Sequence, residues 1–212
     1  MKFKRENITI NESVIYLMWF EDFETKLYLD QLTEIEKERY FEIKHENRKQ
    51  EFVATRMLRH EIFGHQHIHY KDHGAPYIKN EGYISISHTK NCVGIALNRD
   101  YEIGLDLEYE RKNINKIQHK FISQDELKKF NTDSSIEVTK IWSAKEALYK
   151  LAGRKEIDFK MQLQLLKKSE NIWIGKIKNS DHYLTTELSI FEKDDLIISI
   201  NSRPCEKSKQ YL

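Results

Sequence analysis

The sequence predicts a mixed α/β (α+β) fold, because strand-like and helix-like segments alternate along the chain. Residues 14–20 form a continuous apolar run, which is typical of a buried strand. Apolar residues recur at helical spacing in residues 48–63 and again in residues 136–152, which predicts two long amphipathic helices. The order strand, helices, strands therefore occurs in both halves of the chain.

Composition favours a soluble protein with a substantial core. The chain has 212 residues, of which 39% are hydrophobic and 33% charged, enough for one large domain or two small ones. A net charge of +1 argues against nucleic-acid binding as the main role. No apolar run approaches the roughly 20 residues of a membrane span, and the first residues lack the apolar core of a signal peptide. We expect a cytoplasmic protein without membrane contact.

Capping signals mark the helices of the first half. Thr33 followed by Glu36 predicts a capping box at the start of a solvated helix that reaches about Lys44. Gly64 fits the end of the second helix. Three histidines alternate after this glycine, which predicts exposed strand histidines rather than zinc ligands, because no acidic residue or cysteine has matching spacing. They are His65, His67 and His69.

Three strands are predicted in the centre of the chain, as an antiparallel meander of residues 83–88, 92–97 and 102–109. In the third strand Asp106 and Glu108 share a face with Gly104, since residues two apart point the same way. The missing side chain of Gly104 is interpreted as space for a ligand. An outward polar face of a surface strand is the alternative for the two acidic residues.

A cluster of carboxylates is expected where the acidic strand meets the helix at residues 136–152. Glu146 and Lys150 lie four residues apart and are neighbours on that helix, where a surface ion pair is the alternative. Packed beside the strand, Glu146 would join Asp106 and Glu108, with Lys150 adjacent. Three oxygen ligands suit Mg²⁺. Lys145 is expected to be solvated or near a nucleotide.

The segment after Gly153 predicts strands at residues 171–178, 182–191 and 194–201. Residues 204–212 are polar and are expected to fray.

Three motifs carry a resemblance to a known family. They are Ser85-Ile86-Ser87-His88, Gly104-Leu105-Asp106-Leu107-Glu108 and Trp142-Ser143-Ala144-Lys145-Glu146-Ala147-Leu148-Tyr149-Lys150. With these motifs the sequence resembles the 4′-phosphopantetheinyl transferases of the surfactin-activating type, most clearly between Gly74 and Gly153. The resemblance implies a pseudo-two-fold fold of two similar halves, each a small antiparallel-rich sheet packed with helices. We place the boundary near Tyr101, with halves 1–101 and 102–212 and the active site between them.

The resemblance also implies an activity. Such an enzyme transfers 4′-phosphopantetheine from coenzyme A to a serine of an apo acyl or peptidyl carrier protein and releases 3′,5′-ADP. It implies Mg²⁺ held by Asp106, Glu108 and Glu146, and a monomeric enzyme. His88 and Lys150 would contact the phosphates and act in catalysis.

Further site residues follow from the resemblance. Arg48 and Arg56 would hold the nucleotide end of coenzyme A, although each could instead be a surface charge, and Ser87 would assist nearby. Lys37 and Arg39 are further candidates. Ala75 stands where the family has a phosphate-binding lysine, so Lys71 or Lys79 would take over or the contact is absent.

Glu126 has two possible roles. It lies in a Phe-x-Ser-x-x-Glu segment whose glutamate in the family is the proposed general base for the attacking serine. It also completes a capping box with Ser123, which requires no catalysis. Two other functions stay open for the chain: a Mg²⁺-dependent phosphoester hydrolase, and an inactive relative that binds coenzyme A or a carrier protein.

Overall fold

The structure, a computed structural model, describes residues 2–153, 156–180 and 182–209. Within these residues it contains two antiparallel sheets, a two-stranded ribbon and four α-helices. The predicted mixed α+β class is therefore confirmed.

The elements alternate along the chain as the sequence predicts. The strands are β1 (Phe3–Ile10), β2 (Ser13–Phe20), β3 (His69–Tyr70), β4 (Pro76–Tyr77), β5 (Tyr83–Thr89), β6 (Cys92–Asn98), β7 (Leu105–Tyr109), β8 (Leu163–Lys167), β9 (Ile172–Lys178), β10 (His182–Lys193), β11 (Leu196–Asn201) and β12 (Glu206–Lys209). The α-helices are α1 (Glu34–Glu42), α2 (Glu46–Phe63), α3 (Gln124–Leu127) and α4 (Ser135–Leu151), with 3-10 helices at Thr25–Gln31 and Ile114–Lys120.

The strands of the first sheet lie within residues 3–98, and those of the second lie within residues 105–209. The first sheet has the strand order β1-β2-β6-β5, and the second has the order β7-β11-β10-β9-β8, with β12 also paired to β10. Strand β5 is thus an edge of the first sheet and β7 an edge of the second. Strands β3 and β4 form the separate ribbon.

Each sheet is covered by one long helix, and a third apolar cluster joins the sheets. Helix α2 buries Val53 and Leu58 with residues of the first sheet. Helix α4 buries its predicted stripe against the second sheet, formed by Ile141, Ala144, Leu148 and Leu151. The third cluster combines residues of β2 and β6 with residues of β7 and β11, including Leu17, Ala96, Leu105, Leu107 and Ile198.

The predicted three-stranded meander is wrong at its third strand. Strand β6 pairs with β5 and β2, so both of its edges are occupied, and β7 pairs with β11 in the other sheet. Strand β7 instead lies beside β5 and runs in the same direction. Two backbone N–H groups of β7 donate to serine hydroxyls of β5: Leu105 to Ser85 at 2.9 Å and Leu107 to Ser87 at 3.2 Å.

The predicted helix caps are confirmed. Thr33 and Glu36 form a capping box at α1, Ser123 and Glu126 form one at α3, and Gly64 is the C-cap of α2. Glu36 is not solvated, because its carboxylate accepts a hydrogen bond of 2.9 Å from the buried Arg59.

Two expectations about strands need correction. Of the three alternating histidines only His69 lies in a strand, because the ribbon begins there. The C-terminal tail does not fray over its first residues, since β12 pairs with His182 to Thr185 of β10. Residues 210–212 of the predicted tail lie outside the described residues. Strands β1 and β8 were not predicted.

Gly104 serves helix packing and does not leave space for a ligand. A Cβ atom at this position would lie 2.2 Å from the backbone oxygen of Ala147 and 2.9 Å from the side chain of Leu151, both on α4. The absent side chain therefore lets α4 approach the start of β7.

No helix in the described residues has the length and apolar character needed to cross a membrane.

The packing at Gly104 predicts a stability difference between two glycine substitutions. Gly104→Ala should lower the free energy of unfolding by roughly 2–3 kcal/mol, because the new methyl group meets backbone that must shift. Gly175→Ala is the matched control, since a Cβ atom there meets flexible side-chain atoms of Leu148 at 2.6 Å. Urea denaturation followed by circular dichroism measures both. A larger loss in Gly175→Ala would contradict this account.

Candidate active site

The two acidic residues of β7 are buried beside the junction of the sheets. Asp106 is 5% exposed and Glu108 is 7% exposed. Carboxylates are seldom buried to this degree unless they are paired or bind a metal. The outward polar face that was the alternative for these residues is therefore excluded.

A cleft of about 470 Å³ lies between β5, β7 and α4. Seven residues predicted for the site line this cleft: Arg48, Ser87, His88, Asp106, Glu108, Glu146 and Lys150. Four residues that were not assigned a role also line it: Ile86, Arg111, Trp142 and Tyr149. The structure thus gathers residues from three separate sequence motifs around one space.

Lys150 connects α4 to both neighbouring strands. Its Nζ donates to the Leu105 carbonyl at 2.6 Å, to Asp106 Oδ1 at 3.0 Å and to Ser87 Oγ at 3.0 Å. The other carboxylate oxygen, Asp106 Oδ2, is buried and has no hydrogen-bond partner among the described residues. An unpaired buried carboxylate oxygen is costly, and it is also an available metal ligand.

Glu108 is held by an arginine and a tryptophan. Arg111 donates to both carboxylate oxygens, with distances of 3.0 Å and 2.5 Å, and Trp142 Nε1 donates to Oε1 at 3.0 Å. Burial, and next the nearby Asp106 carboxylate, raise the pKa of Glu108 to about 7. The two carboxylates therefore repel each other, and a cation between them would relieve that repulsion.

The residues present fit a divalent metal, although the described part of the chain contains no ready cluster of three or more acidic, histidine or cysteine ligands. Asp106 and Glu108 are engaged by Lys150 and Arg111, and Glu146 is half-buried at the same cleft. The unpaired Asp106 Oδ2 offers a hard oxygen ligand. Carboxylate oxygens are the ligands that Mg²⁺ prefers.

The hydroxyl of Ser87 has no hydrogen-bonding capacity left. It donates to Asp106 Oδ1 at 3.1 Å and accepts from Leu107 N–H and from Lys150. A hydroxyl has one donor hydrogen and two acceptor positions, and all three are used. In this structure Ser87 therefore positions the acidic strand and the lysine.

His88 lies at the opening of the cleft beside Arg48. The Arg48 guanidinium is 3.2 Å from the imidazole nitrogens, and a carboxylate oxygen of Glu51 is 3.3 Å from Nδ1. Burial lowers the pKa of His88, opposed by Glu51. The lowered pKa favours the neutral form of the ring.

A second cavity, here called the arginine pocket, adjoins the cleft. It has a volume of about 420 Å³ and shares Arg48, Ile86 and His88 with the cleft. Arg39 and Arg56 also line it. Arg56 is buried rather than a surface charge, with its guanidinium 3.7 Å from the Phe52 ring centroid and a hydrogen bond to the Tyr70 hydroxyl.

A third cavity, here called the lysine pocket, meets the cleft at Lys150. It has a volume of about 360 Å³, and Lys71, Ala75 and Lys79 line it together with Ser85. Both lysines that could replace the family's phosphate-binding lysine therefore lie on the same cavity as Ala75.

Glu126 lies outside the cleft and is fully engaged. Its Oε2 accepts from Ser123 N–H and from Lys145 Nζ, each at 2.8 Å, and its Oε1 accepts from Leu165 N–H at 2.9 Å. These contacts are those of a helix cap and a buried ion pair.

The expectation that Lys145 is solvated or near a nucleotide is wrong. Its side chain is 0% exposed, and its Nζ also donates to three backbone carbonyls at 2.6 to 2.9 Å. The carbonyls belong to Phe121, Phe159 and Leu163.

Arg111 and Trp142, which bind the Glu108 carboxylate, were not predicted from the sequence as site residues. The available signal was the position of Arg111 three residues after Glu108, but a basic residue after a strand is common. Their contacts with Glu108 depend on how α4 packs beside β7, which the sequence pattern does not specify.

The raised pKa of Glu108 predicts a pH-dependent loss of stability. The folded protein binds the Glu108 proton more tightly than the unfolded chain does, so stability falls as pH rises from about 4.5 through about 7. In EDTA, Glu108→Gln should remove part of this fall, on the order of 2 kcal/mol between pH 5 and pH 8. Urea denaturation at both pH values measures it, with Glu110→Gln as control. An unchanged pH dependence in Glu108→Gln would refute the assignment.

The comparisons with known proteins concern the second half of the chain. Residues 102–200 match the model of a family described as the 4′-phosphopantetheinyl transferase superfamily. No curated protein sequence matches the chain. The matched segment extends from just before β7 into β11, and it includes Asp106, Glu108, Glu146 and Lys150. Over this segment the chain is similar to that superfamily, which supports the general family named by the resemblance.

Proposed function

We propose that the protein transfers the 4′-phosphopantetheine group of coenzyme A to a serine of an apo acyl or peptidyl carrier protein, as an enzyme of the surfactin-activating type. The observation that carries this proposal is the convergence of three motifs on one cleft. Three carboxylates, a histidine and a lysine line it, within and next to the segment that matches the family.

The carboxylates are proposed to hold Mg²⁺. Asp106, Glu108 and Glu146 supply oxygen ligands, and the unpaired Oδ2 of Asp106 supports this assignment. When bound, the metal neutralises charge on the diphosphate of coenzyme A, which is the main catalytic requirement in this type of transfer.

Lys150 and His88 are proposed to bind the phosphates. Lys150 lies at the contact of the cleft with the lysine pocket, and His88 at its contact with the arginine pocket. A serine hydroxyl of the carrier attacks the phosphorus nearest pantetheine, its proton passes to solvent, and the bond to the 3′,5′-ADP oxygen breaks. Hydrogen-bond donors held in place before the reaction stabilise charge as it develops there.

The adjoining pockets are proposed to hold the remainder of coenzyme A. Arg48 and Arg56 supply guanidinium groups in the arginine pocket, where forked donors suit phosphate. Lys71 and Lys79 flank Ala75 in the lysine pocket and can replace the lysine that the family carries. This placement favours an active enzyme over an inactive relative.

Ser87 and Glu126 are proposed to position other groups rather than to react. The saturated hydroxyl of Ser87 holds Asp106 and Lys150 in place. Glu126 caps α3 and neutralises Lys145, and it is not among the residues that line the cleft.

The two sheets are proposed to be the cores of two similar halves, residues 1–101 and 102–212, that act together as a monomer. Each half has an antiparallel sheet with one long covering helix. The cleft draws residues from both halves, so one chain supplies the whole site.

The first prediction of this proposal is the mass change of a carrier protein. Incubation of an apo carrier with the protein, coenzyme A and Mg²⁺ should add one phosphopantetheine group to a serine, detected by intact mass spectrometry. EDTA should abolish the gain, and Asp106→Asn should slow it by roughly two orders of magnitude or more. Asp100→Asn, an exposed carboxylate before β7, is the matched control and should retain full rate.

Each negative result has a distinct meaning. Release of nucleotide without modification of several carrier types would favour the hydrolase. Binding of coenzyme A without either reaction would favour the inactive relative. A folded protein that does not bind coenzyme A would refute the proposed function.

A second prediction distinguishes the two possible roles of Glu126, a structural helix cap and a general base. Glu126→Gln should lower the free energy of unfolding by about 3 kcal/mol, because Lys145 loses its buried counter-charge. Its kcat in carrier modification should change less than about three-fold, whereas loss of a general base costs roughly 100-fold or more.

Lys145→Met is the matched variant, because it breaks the same ion pair but leaves the Glu126 carboxylate unchanged. The two variants should resemble each other in stability and in kcat. A selective loss of kcat in Glu126→Gln would restore Glu126 as the base.

A further inference from the structure

The Glu108 carboxylate is already occupied by a cation of its own chain. Arg111 donates from Nε to Oε2 at 3.0 Å and from a terminal nitrogen to Oε1 at 2.5 Å. Oε1 also accepts the Trp142 indole N–H. A metal that uses Glu108 as a ligand therefore meets a carboxylate whose two oxygens are engaged.

The side chain of Arg111 is free to leave, while its backbone is fixed. The side chain is 48% exposed, and the residue follows the last residue of β7 by two positions. Its backbone N–H donates to the hydroxyl of Thr139 on α4 at 3.1 Å. The guanidinium can return to solvent because it is half-exposed, and a metal that replaces it supplies the counter-charge that the buried Glu108 carboxylate needs.

Lys150, which pairs with the other acidic residue, does not have this freedom. It is 13% exposed and is also held by the Leu105 carbonyl and by Ser87. Asp106 nevertheless keeps one oxygen, Oδ2, buried and without a partner in the described residues. Asp106 thus has an oxygen available for a metal, whereas Glu108 is blocked by the Arg111 side chain, which can move.

We propose that Arg111 is an internal counter-cation that occupies Glu108 in the metal-free protein and is displaced when a divalent metal binds. The inference rests on the metal site of the proposed function. Arg111 relieves the burial of a charged carboxylate that has no metal, and it competes with the metal for the same oxygens. In this structure the guanidinium lies 5.6 Å from the centroid of the Trp142 ring, and the hydrogen bond of its backbone to Thr139 would keep a released side chain near the cleft.

The test measures metal affinity directly, without substrate. Isothermal titration calorimetry with Mn²⁺ at pH 8 compares the wild-type protein, Arg111→Ala and Arg111→Gln. Both variants should bind Mn²⁺ roughly three- to ten-fold more tightly than the wild-type protein, because the competing cation is gone. Asp106→Asn in each background identifies the binding that belongs to the cleft.

Lys112→Ala is the matched control for the loss of one positive charge. Lys112 is the exposed neighbour of Arg111 and does not line the cleft. The Lys112→Ala variant should bind Mn²⁺ with the same affinity as the wild-type protein. Tighter binding in Lys112→Ala to the same extent would show a general charge effect and overturn the proposal.

If Arg111 helps Glu108 to bind the metal, its removal should weaken Mn²⁺ binding instead of strengthening it. If the arginine orients Glu108 as a ligand, Arg111→Ala and Arg111→Gln bind Mn²⁺ more weakly, and that result or unchanged affinity overturns the proposal. Absence of cleft binding in all proteins overturns it together with the metal site. Tighter binding in the arginine variants, with no carrier modification, leaves the Arg111 proposal intact and refutes the transfer reaction instead.

Discussion

The structure depends on the contact between the edge strands of its two sheets. Strands β5 and β7 lie side by side, yet serine hydroxyls and a lysine take the place of backbone pairing. The same groups hold Asp106, so the contact that joins the sheets also orients an acidic residue of the cleft. The apolar cluster around Leu105 and Leu107 supports it from the side of β2 and β6.

The faces of individual elements could be predicted from the sequence, whereas the partners of those elements could not. Two-residue and helical periodicity correctly placed Asp106 with Glu108, and Glu146 with Lys150, on shared faces. The partner of β7 was predicted wrongly, because proximity in sequence favours pairing with β6, while β2 occupies that edge of β6. The expectation that Lys145 is solvated or near a nucleotide failed because the carbonyls that surround its Nζ are distant in sequence.

The chain contains two kinds of buried charge with different energetic consequences. Lys145 and Glu126 are matched in charge and have full sets of hydrogen bonds, so they fix α4 relative to α3 and the start of β8. Asp106 and Glu108 repel each other, and Asp106 Oδ2 has no hydrogen-bond partner in the described part of the chain. Buried charged groups with a structural role usually have all of their hydrogen bonds made. Buried groups that lack a hydrogen-bond partner are more frequent where a protein binds a ligand or catalyses a reaction. This difference in hydrogen bonding distinguishes Glu126 from the carboxylates of the cleft, whereas its sequence motif does not.

Exposed edge strands usually require protection against pairing with other strands. Here Ser85 and Ser87 accept the outward N–H groups of β7, and Lys150 donates to its Leu105 carbonyl. The two sheets consequently stay separate instead of forming one continuous sheet. Where β5 and β7 meet, side chains make hydrogen bonds to these backbone groups of β7. Because side chains satisfy these backbone groups of β7, the contact between the sheets can rearrange without breaking a hydrogen bond between paired strands.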